Sequence, residues 1–172
     1  MNAASPKGPK KTPEEINAIL KKEKITPKDR LQIPVQDMPT QDPGVRSRNF
    51  NEVALGYTAE QARFEANRCI ECKNEPCIAG CPVGIDIPGF LKAIANNDFQ
   101  KSVDIIKESS LLPSVCGRVC PQETQCQAVC TVGKSLKSLD DAVSIGRLER
   151  FIADWERQSG SQVPSVKPES GY

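Results

Sequence analysis

The sequence predicts an all-α domain. Three segments begin with helix-capping residues, apolar side chains recur every three or four positions, and no segment alternates convincingly as a strand. Only 38% of the 172 residues are hydrophobic and 5% are aromatic, which is lean for a self-supporting core. The chain has eight cysteines and no histidine, so a bound metal group is the leading candidate for additional stabilisation.

Residues 1–50 are predicted to form an extended arm with short helices, because seven of the fourteen prolines lie before position 44 among lysines and polar residues. Within this arm, Thr12 and Glu15 fit a capping box that starts a helix over TPEEINAILKK. Its apolar stripe must dock either on this domain or on a partner, and consists of Ile16, Ile19 and Leu20.

A helical domain is predicted over residues 51–158. Thr58 and Gln61 form a second capping box, and the helix that follows carries the chain to Cys69 and Cys72. Two further helices are expected over residues 86–97 and 98–108. Their inward side chains are Phe90, Leu91, Ile94, Phe99, Val103 and Ile106.

The longest helix is predicted to span SLDDAVSIGRLERFIADWERQ without a break, capped by Ser138 and Asp141. Residues 159–172 are polar and rich in glycine, serine and proline, which is typical of a linker. The apolar stripe of the long helix comprises Ala142, Ile145, Leu148, Ile152 and Trp155.

The net charge, the N-terminal residues and the absence of nucleotide-binding motifs limit the partners, location and cofactor sites that we expect for this chain. The formal net charge of +1 gives no field that would attract nucleic acid or an anionic membrane, and neither is expected as a partner. The N-terminal lysines are not followed by an apolar run, so a cytoplasmic location is expected. No GxGxxG or GxxxxGKS/T string occurs, and the chain is expected to lack flavin and nucleotide sites of its own.

The cysteines form two groups, CxxCxxxxCxxxCP at residues 69–82 and CxxxCPxxxxCxxxC at residues 116–130. A structural zinc site usually presents two close CxxC pairs or one pair with histidines, and this chain has one CxxC and no histidine. Closely spaced cysteines that end in CP are typical of iron-sulfur ferredoxins, in which the last cysteine serves a second cluster. The spacing therefore favours two 4Fe-4S clusters over zinc.

The eighth cluster ligand has two candidates. The cysteines alone could supply eight thiolates, including Cys116, but Glu149 lies on the apolar stripe of the last helix, where an unpaired carboxylate is costly. Gly146, one turn earlier, is expected to let the backbone approach a cluster. Glu149 could instead form an ion pair, and the candidate partners are Arg118, Arg147 and Arg150.

Three stretches carry a resemblance to a known family: CIECKNEPCIAGCPVGIDIPGF, GRVCPQETQCQAVC and AVSIGRLERF. Together with the residues before them, they resemble the N-terminal iron-sulfur domain of the small (beta) subunit of NADPH-dependent glutamate synthase. The same domain recurs in related flavoenzymes, including the N-terminal region of dihydropyrimidine dehydrogenase. The resemblance covers about residues 35–158, and its motifs are highly specific.

The resemblance implies an α-helical ferredoxin-like domain with two 4Fe-4S clusters. It favours Glu149 over Cys116 as the eighth ligand, because the family places an oxygen or amide ligand at the matching position. It implies no catalytic residue in this chain. The implied ligands of one cluster are Cys69, Cys72, Cys77 and Cys130. The implied ligands of the other are Cys81, Cys120, Cys126 and Glu149.

The resemblance also implies a function in electron transfer. FAD and NADPH would bind in a region downstream of residues 159–172 or on a separate chain, and the clusters would pass electrons to a large catalytic subunit such as glutamate synthase alpha. By itself the chain would then be a fragment of an oxidoreductase. Two other interpretations stay open, a free-standing two-cluster ferredoxin and a zinc-stabilised interaction module.

Overall fold

A computed structural model describes residues 11–160, 169 and 171. This part of the chain is helical and forms no strand, with a single antiparallel bridge between Thr40 and Ala54, so the predicted all-α class is confirmed. The helices are α1 (Pro13–Leu20), α2 (Pro27–Arg30), α3 (Pro43–Arg46), α4 (Ala59–Ala66), α5 (Pro76–Ala79), α6 (Ile87–Ala95), α7 (Phe99–Lys107), α8 (Pro113–Val119), α9 (Thr131–Leu136) and α10 (Ile145–Ser159). Within the described ranges, none of these helices is long and apolar enough to cross a membrane.

Local hydrogen bonds account for most of the predicted helix starts. The Thr12 box before α1 and the Thr58 box before α4 are both complete, with side-chain and backbone bonds in each direction. The predicted helices over residues 86–97 and 98–108 are α6 and α7, which begin after the capping carboxylates of Asp86 and Asp98. The sequence predicts these helix starts because each capping bond joins residues only three positions apart.

The core lies between α4, α6, α7 and α10. Many of its apolar side chains come from the stripes that the sequence predicted, although Ile87 and Val132 were not among them. Helix α7 meets α10 through aromatic edge contacts of Phe99 with Phe151 and Trp155, at centroid distances of 5.3 and 5.6 Å. The largest fully buried apolar side chains of this cluster are Phe90, Ile87, Leu91, Ile94, Ile106, Leu148, Ile152 and Val132.

The N-terminal arm packs on the domain through α1. Ile16 and Ile19 are buried in a second small cluster with Ile33 and Phe64, and Phe64 belongs to α4. The apolar stripe of α1 therefore docks on this domain. The boundaries at residues 50 and 158 stay a prediction, and residues 1–10 of the arm and most of the predicted linker lie outside the described residues.

The last helix is shorter than predicted. It begins at Ile145, whereas Leu139–Asp141 form a 3₁₀ turn, Ala142 is extended, and the Ser138 side chain makes no capping bond. Arg68 donates hydrogen bonds to the carbonyl oxygens of Asp141 and Ala142, at 2.5 and 3.0 Å. The nearby Glu65 carboxylate accepts from the backbone N–H of Ser144 at 2.9 Å. These tertiary bonds replace helical ones, so the prediction of a continuous helix from Ser138 is wrong.

Removal of one partner from the buried ion pair between Glu65 and Arg68 is expected to destabilise the fold strongly. Glu65 and Arg68 are 0% and 1% exposed, and their side chains lie 2.7 Å apart. Arg68→Met leaves Glu65 buried without its counter-charge, so we expect a loss of about 3–5 kcal/mol in the free energy of unfolding. Anaerobic denaturant melts followed by circular dichroism measure the loss. Arg157→Met is the control, because Arg157 is exposed and its ion pair contributes little. Equal stability of the two variants would contradict this account.

Candidate metal centre

The first cavity is bordered by four cysteine side chains from distant parts of the chain. Cys69 and Cys72 follow α4, Cys77 lies on α5, and Cys130 immediately precedes α9. The rest of the wall is almost entirely apolar, which suits a group that must be shielded from water. It comprises Ile70, Pro76, Ile87, Pro88, Leu91, Thr131, Val132, Val143 and Ile145.

The second cavity is bordered by Cys81, Cys120, Cys126 and Glu149, which are the four side chains that the family resemblance implied for one cluster. Cys116 also reaches this cavity from α8, a helix that the sequence analysis did not predict. The remaining lining is Pro82, Val83, Ile85, Ile87, Phe90, Gln122, Gln125 and Ile145.

Two glycines let these elements approach closely. A Cβ atom at Gly80 would lie 2.7 Å from Val129 Cγ2 and 3.1 Å from Cys126 Cα, so the loop of the first cysteine group packs directly on the second group. A Cβ atom at Gly117 would lie 2.5 Å from the backbone nitrogen of Arg150. This contact brings α8, with its cysteines, against the turn of α10 that carries Glu149.

All eight cysteines are free thiols, without disulfides. Burial raises the pKa of Cys69 and Cys120 to about 11 and that of Cys77 and Cys126 to about 12. Without a metal these thiols are therefore protonated at neutral pH. Only a bound cation would hold them as thiolates, and its binding would release protons.

Glu149 is buried, and one of its carboxylate oxygens has no hydrogen-bond partner among the described residues. The residue is 6% exposed, and its Oε1 atom is the one buried side-chain oxygen or nitrogen among the described residues that lacks a partner. Burial raises the pKa of this carboxyl to about 7. An oxygen without a hydrogen-bond partner, on a side chain that borders a cavity with four cysteines, is the arrangement expected of a ligand whose metal supplies the missing interaction.

The ion-pair interpretation of Glu149 is wrong, because the three candidate arginines bind elsewhere. Arg118 pairs with Glu52 and Asp154, and Arg150 also pairs with both of these carboxylates. Arg147 donates to the carbonyl oxygen of Gln36 at 3.4 Å.

Gly146 makes room for a side chain, while its predicted approach to a cluster stays a prediction. A Cβ atom there would lie 2.0 Å from Gln122 Nε2, so the glycine makes room for the Gln122 side chain. That amide donates to the carbonyl oxygen of Cys116 at 3.2 Å, so the Gln122 side chain lies between Gly146 of α10 and Cys116 of α8. Sequence reasoning missed Gln122, because no local signal connects it with Gly146.

Comparison with known proteins identifies the family. Residues 46–161 match the family described as dihydropyrimidine dehydrogenase domain II, 4Fe-4S cluster. The chain is 36% identical over 114 residues to the NAD-dependent dihydropyrimidine dehydrogenase subunit PreT of Escherichia coli K12, which covers 66% of this chain and 27% of PreT. It is 35% identical over 128 residues to the putative oxidoreductase UacF of the same strain, covering 73% and 19% of the two chains.

A third relative carries a different enzyme name. The chain is 32% identical over 125 residues to the small chain of NADPH glutamate synthase from Azospirillum brasilense, covering 71% of this chain and 25% of the relative. It thus spans about a quarter or less of these relatives' length. Because the matched region contains both cysteine groups and Glu149, the chain belongs to the 4Fe-4S family of dihydropyrimidine dehydrogenase domain II.

Proposed function

We propose that the chain holds two 4Fe-4S clusters and transfers electrons through them. The observation that carries this proposal is the pair of cavities, one bordered by four cysteines and the other by four cysteines and Glu149, with donors in each drawn from both halves of the domain. The proposed ligands in the first cavity are Cys69, Cys72, Cys77 and Cys130. Those in the second are Cys81, Cys120, Cys126 and Glu149.

The relative position of the cavities supports electron transfer between them. Ile87 and Ile145 border both cavities, so a single layer of side chains separates the two proposed cluster positions. An apolar layer of this kind excludes water and keeps the clusters at a short, fixed separation. The protein would supply position and shielding, while the clusters carry the electrons.

The arrangement of donors favours clusters over zinc. Tetrahedral zinc with Zn–S distances of about 2.3 Å brings its sulfur ligands to within about 4 Å of one another. Among residues 11–160, no three cysteine, aspartate or glutamate side chains converge on one metal ion in that way. The donors instead surround a cavity, as a multi-iron cluster requires, so a zinc-stabilised interaction module is the weaker alternative.

In its finer form, the proposal is that the chain serves an NADPH-dependent oxidoreductase similar to the glutamate synthase small subunit. It would connect FAD, reduced by NADPH in another region or chain, to a large catalytic subunit such as glutamate synthase alpha. Small chains of NADPH glutamate synthase from two organisms, at 32% and 33% identity, support this assignment. Eight free cysteines support a cytoplasmic location, where thiols stay reduced.

A second candidate function, electron transfer to a dihydropyrimidine dehydrogenase subunit, has independent support from the PreT relatives. The PreT relatives share 36–37% identity with this chain, so the acceptor could equally be a dihydropyrimidine dehydrogenase partner subunit. A free-standing two-cluster ferredoxin is the third candidate function.

Anaerobic affinity purification from the native cells separates these candidates. We expect a flavoprotein and the glutamate synthase large subunit to co-purify with the chain, and the reduced clusters to be reoxidised only when that subunit receives 2-oxoglutarate and glutamine. Recovery of a dihydropyrimidine dehydrogenase subunit instead would overturn the finer assignment. Recovery of the iron-loaded chain alone would favour the free-standing carrier.

A further inference from the structure

We propose that Arg30, in the N-terminal arm, is a positioning residue for the cluster of the first cavity. Arg30 clamps the loop from Cys69 to Cys72 and thereby controls how firmly that cluster is retained and at what potential it is reduced. This inference rests on the proposed function, because it concerns one of the two proposed clusters.

Two nitrogens of the Arg30 guanidinium bind residues on either side of Cys69, a proposed cluster ligand. One guanidinium nitrogen donates to the carbonyl oxygen of Asn67 at 3.1 Å, and another donates to Glu71 Oε1 at 2.8 Å. Cys69 lies between these two acceptors in the chain, and Arg30, Cys69 and Glu71 line the same cleft. A single arginine from α2 therefore binds the backbone before the first cysteine and a side chain after it.

The Asn67 contact also completes the end of α4. Asn67 is the C-cap residue of this helix, and the last carbonyl groups of a helix lack intrahelical partners. A positive side chain at this end satisfies an unpaired carbonyl and interacts favourably with the helix dipole. The Arg30 side chain is only 16% exposed, and its bond to Asn67 is partly buried, whereas its bond to Glu71 is exposed.

The backbone conformation of Glu71 indicates that contacts from other elements hold this loop in place. Its φ of 49° lies in the left-handed region, which a glycine would occupy without strain. The sequence nevertheless has a glutamate here, and both of its carboxylate oxygens are bound, one by Arg30 and the other by Lys92 at 2.9 Å. The arm, the cysteine loop and α6 therefore meet at this one carboxylate, and the two cations hold the strained residue.

The same contacts place net positive charge beside the first cavity. Arg30 and Lys92 contribute two positive charges against the one negative charge of Glu71. Reduction makes an iron-sulfur cluster more negative, so a nearby positive charge favours the reduced state. Loss of Arg30 should therefore move the midpoint potential of this cluster to a more negative value, as well as loosen its loop.

The test compares Arg30→Met with Arg63→Met in the anaerobically prepared, cluster-loaded chain. Methionine preserves the length of the apolar stem in both variants. Arg63 is the matched control because it also joins the arm to α4, through Asn17 of α1, but does not reach the cysteine loop. The readouts are redox titration monitored by electron paramagnetic resonance and the rate of iron release to a chelator.

For Arg30→Met, we expect one of the two midpoint potentials to become more negative and half of the iron to be released severalfold faster. The cluster concerned should be the one that Cys77→Ser removes. For Arg63→Met, both quantities should match those of the unmodified chain. Unchanged values in Arg30→Met would overturn the proposal, and so would equal effects of the two variants or equal effects on both clusters.

Arg30→Lys separates position from charge. Lysine keeps the positive charge but offers a single nitrogen in place of the planar fork whose two nitrogens bind the Asn67 carbonyl and the Glu71 carboxylate. We expect Arg30→Lys to release iron as fast as Arg30→Met, while its midpoint potential moves back toward that of the unmodified chain. If Arg30→Lys retained iron as firmly as the unmodified chain, the proposed role of the Arg30 hydrogen bonds in holding the loop would be wrong. Failure of the proposed function is distinguishable, because the unmodified chain would then bind no iron-sulfur cluster at all.

Discussion

Cys77→Ser and Cys130→Ser are each expected to remove the same cluster, and therefore about four of the eight iron atoms per chain. Cys77 lies on α5 and Cys130 precedes α9, yet both side chains border the first cavity. Loss of one thiolate from a buried apolar site leaves iron without a ligand, and a serine hydroxyl is a poor replacement. Iron analysis and electron paramagnetic resonance of the anaerobically reduced variants measure the loss.

The matched controls are the neighbouring cysteines Cys81 and Cys126, which border the second cavity. Cys81→Ser and Cys126→Ser should each remove the other cluster and leave the signal that the first pair of variants loses. Cysteines only four residues apart in the sequence are thus assigned to different clusters. If Cys130→Ser and Cys126→Ser instead lost the same signal, the assignment of ligands to the two cavities would be wrong.

Glu149→Ala is expected to remove the second cluster or to change its signal strongly, whereas Cys116→Ala should keep all the iron. The carboxylate is buried beside three cysteines with one oxygen unpaired, so it needs a metal more than Cys116 does. The sulfur of Cys116 instead lies 4.0 Å from the hydroxyl oxygen of Ser110, a contact that needs no metal.

Glu149→Cys sharpens the comparison, because it offers a thiolate at the same position. This variant should regain the iron lost in Glu149→Ala, but with a different midpoint potential, since ligand identity tunes the cluster. The measurement is iron content together with the resonance signal of the second cluster. If Cys116→Ala alone lost that cluster, Glu149 would not be the eighth ligand.

The sequence predicted the parts of the fold that depend on near neighbours. The capping boxes at Thr12 and Thr58 require only residues three positions away, and both are present. The start of the last helix depends instead on Arg68 and Glu65, which bind the backbone of residues 141–144. No local pattern at Ser138 reveals that competition, so the helix was predicted too long.

The sequence likewise predicted only part of the candidate site. The cysteine spacing predicted two groups of ligands, because closely spaced thiols carry their own signature. The isolation of Glu149 could be established only from the fold, because it depends on where Arg118 and Arg150 find their partners. Arg30 was missed for the same reason, since it reaches the cysteine loop across 41 positions of sequence.

Iron and acid-labile sulfide analysis of anaerobically purified protein tests the central claim most directly. Two cubane clusters predict about eight iron and eight sulfide per chain and a brown solution. Colourless protein that carries stoichiometric zinc and no sulfide after the same preparation would contradict the claim that the two cavities hold iron-sulfur clusters.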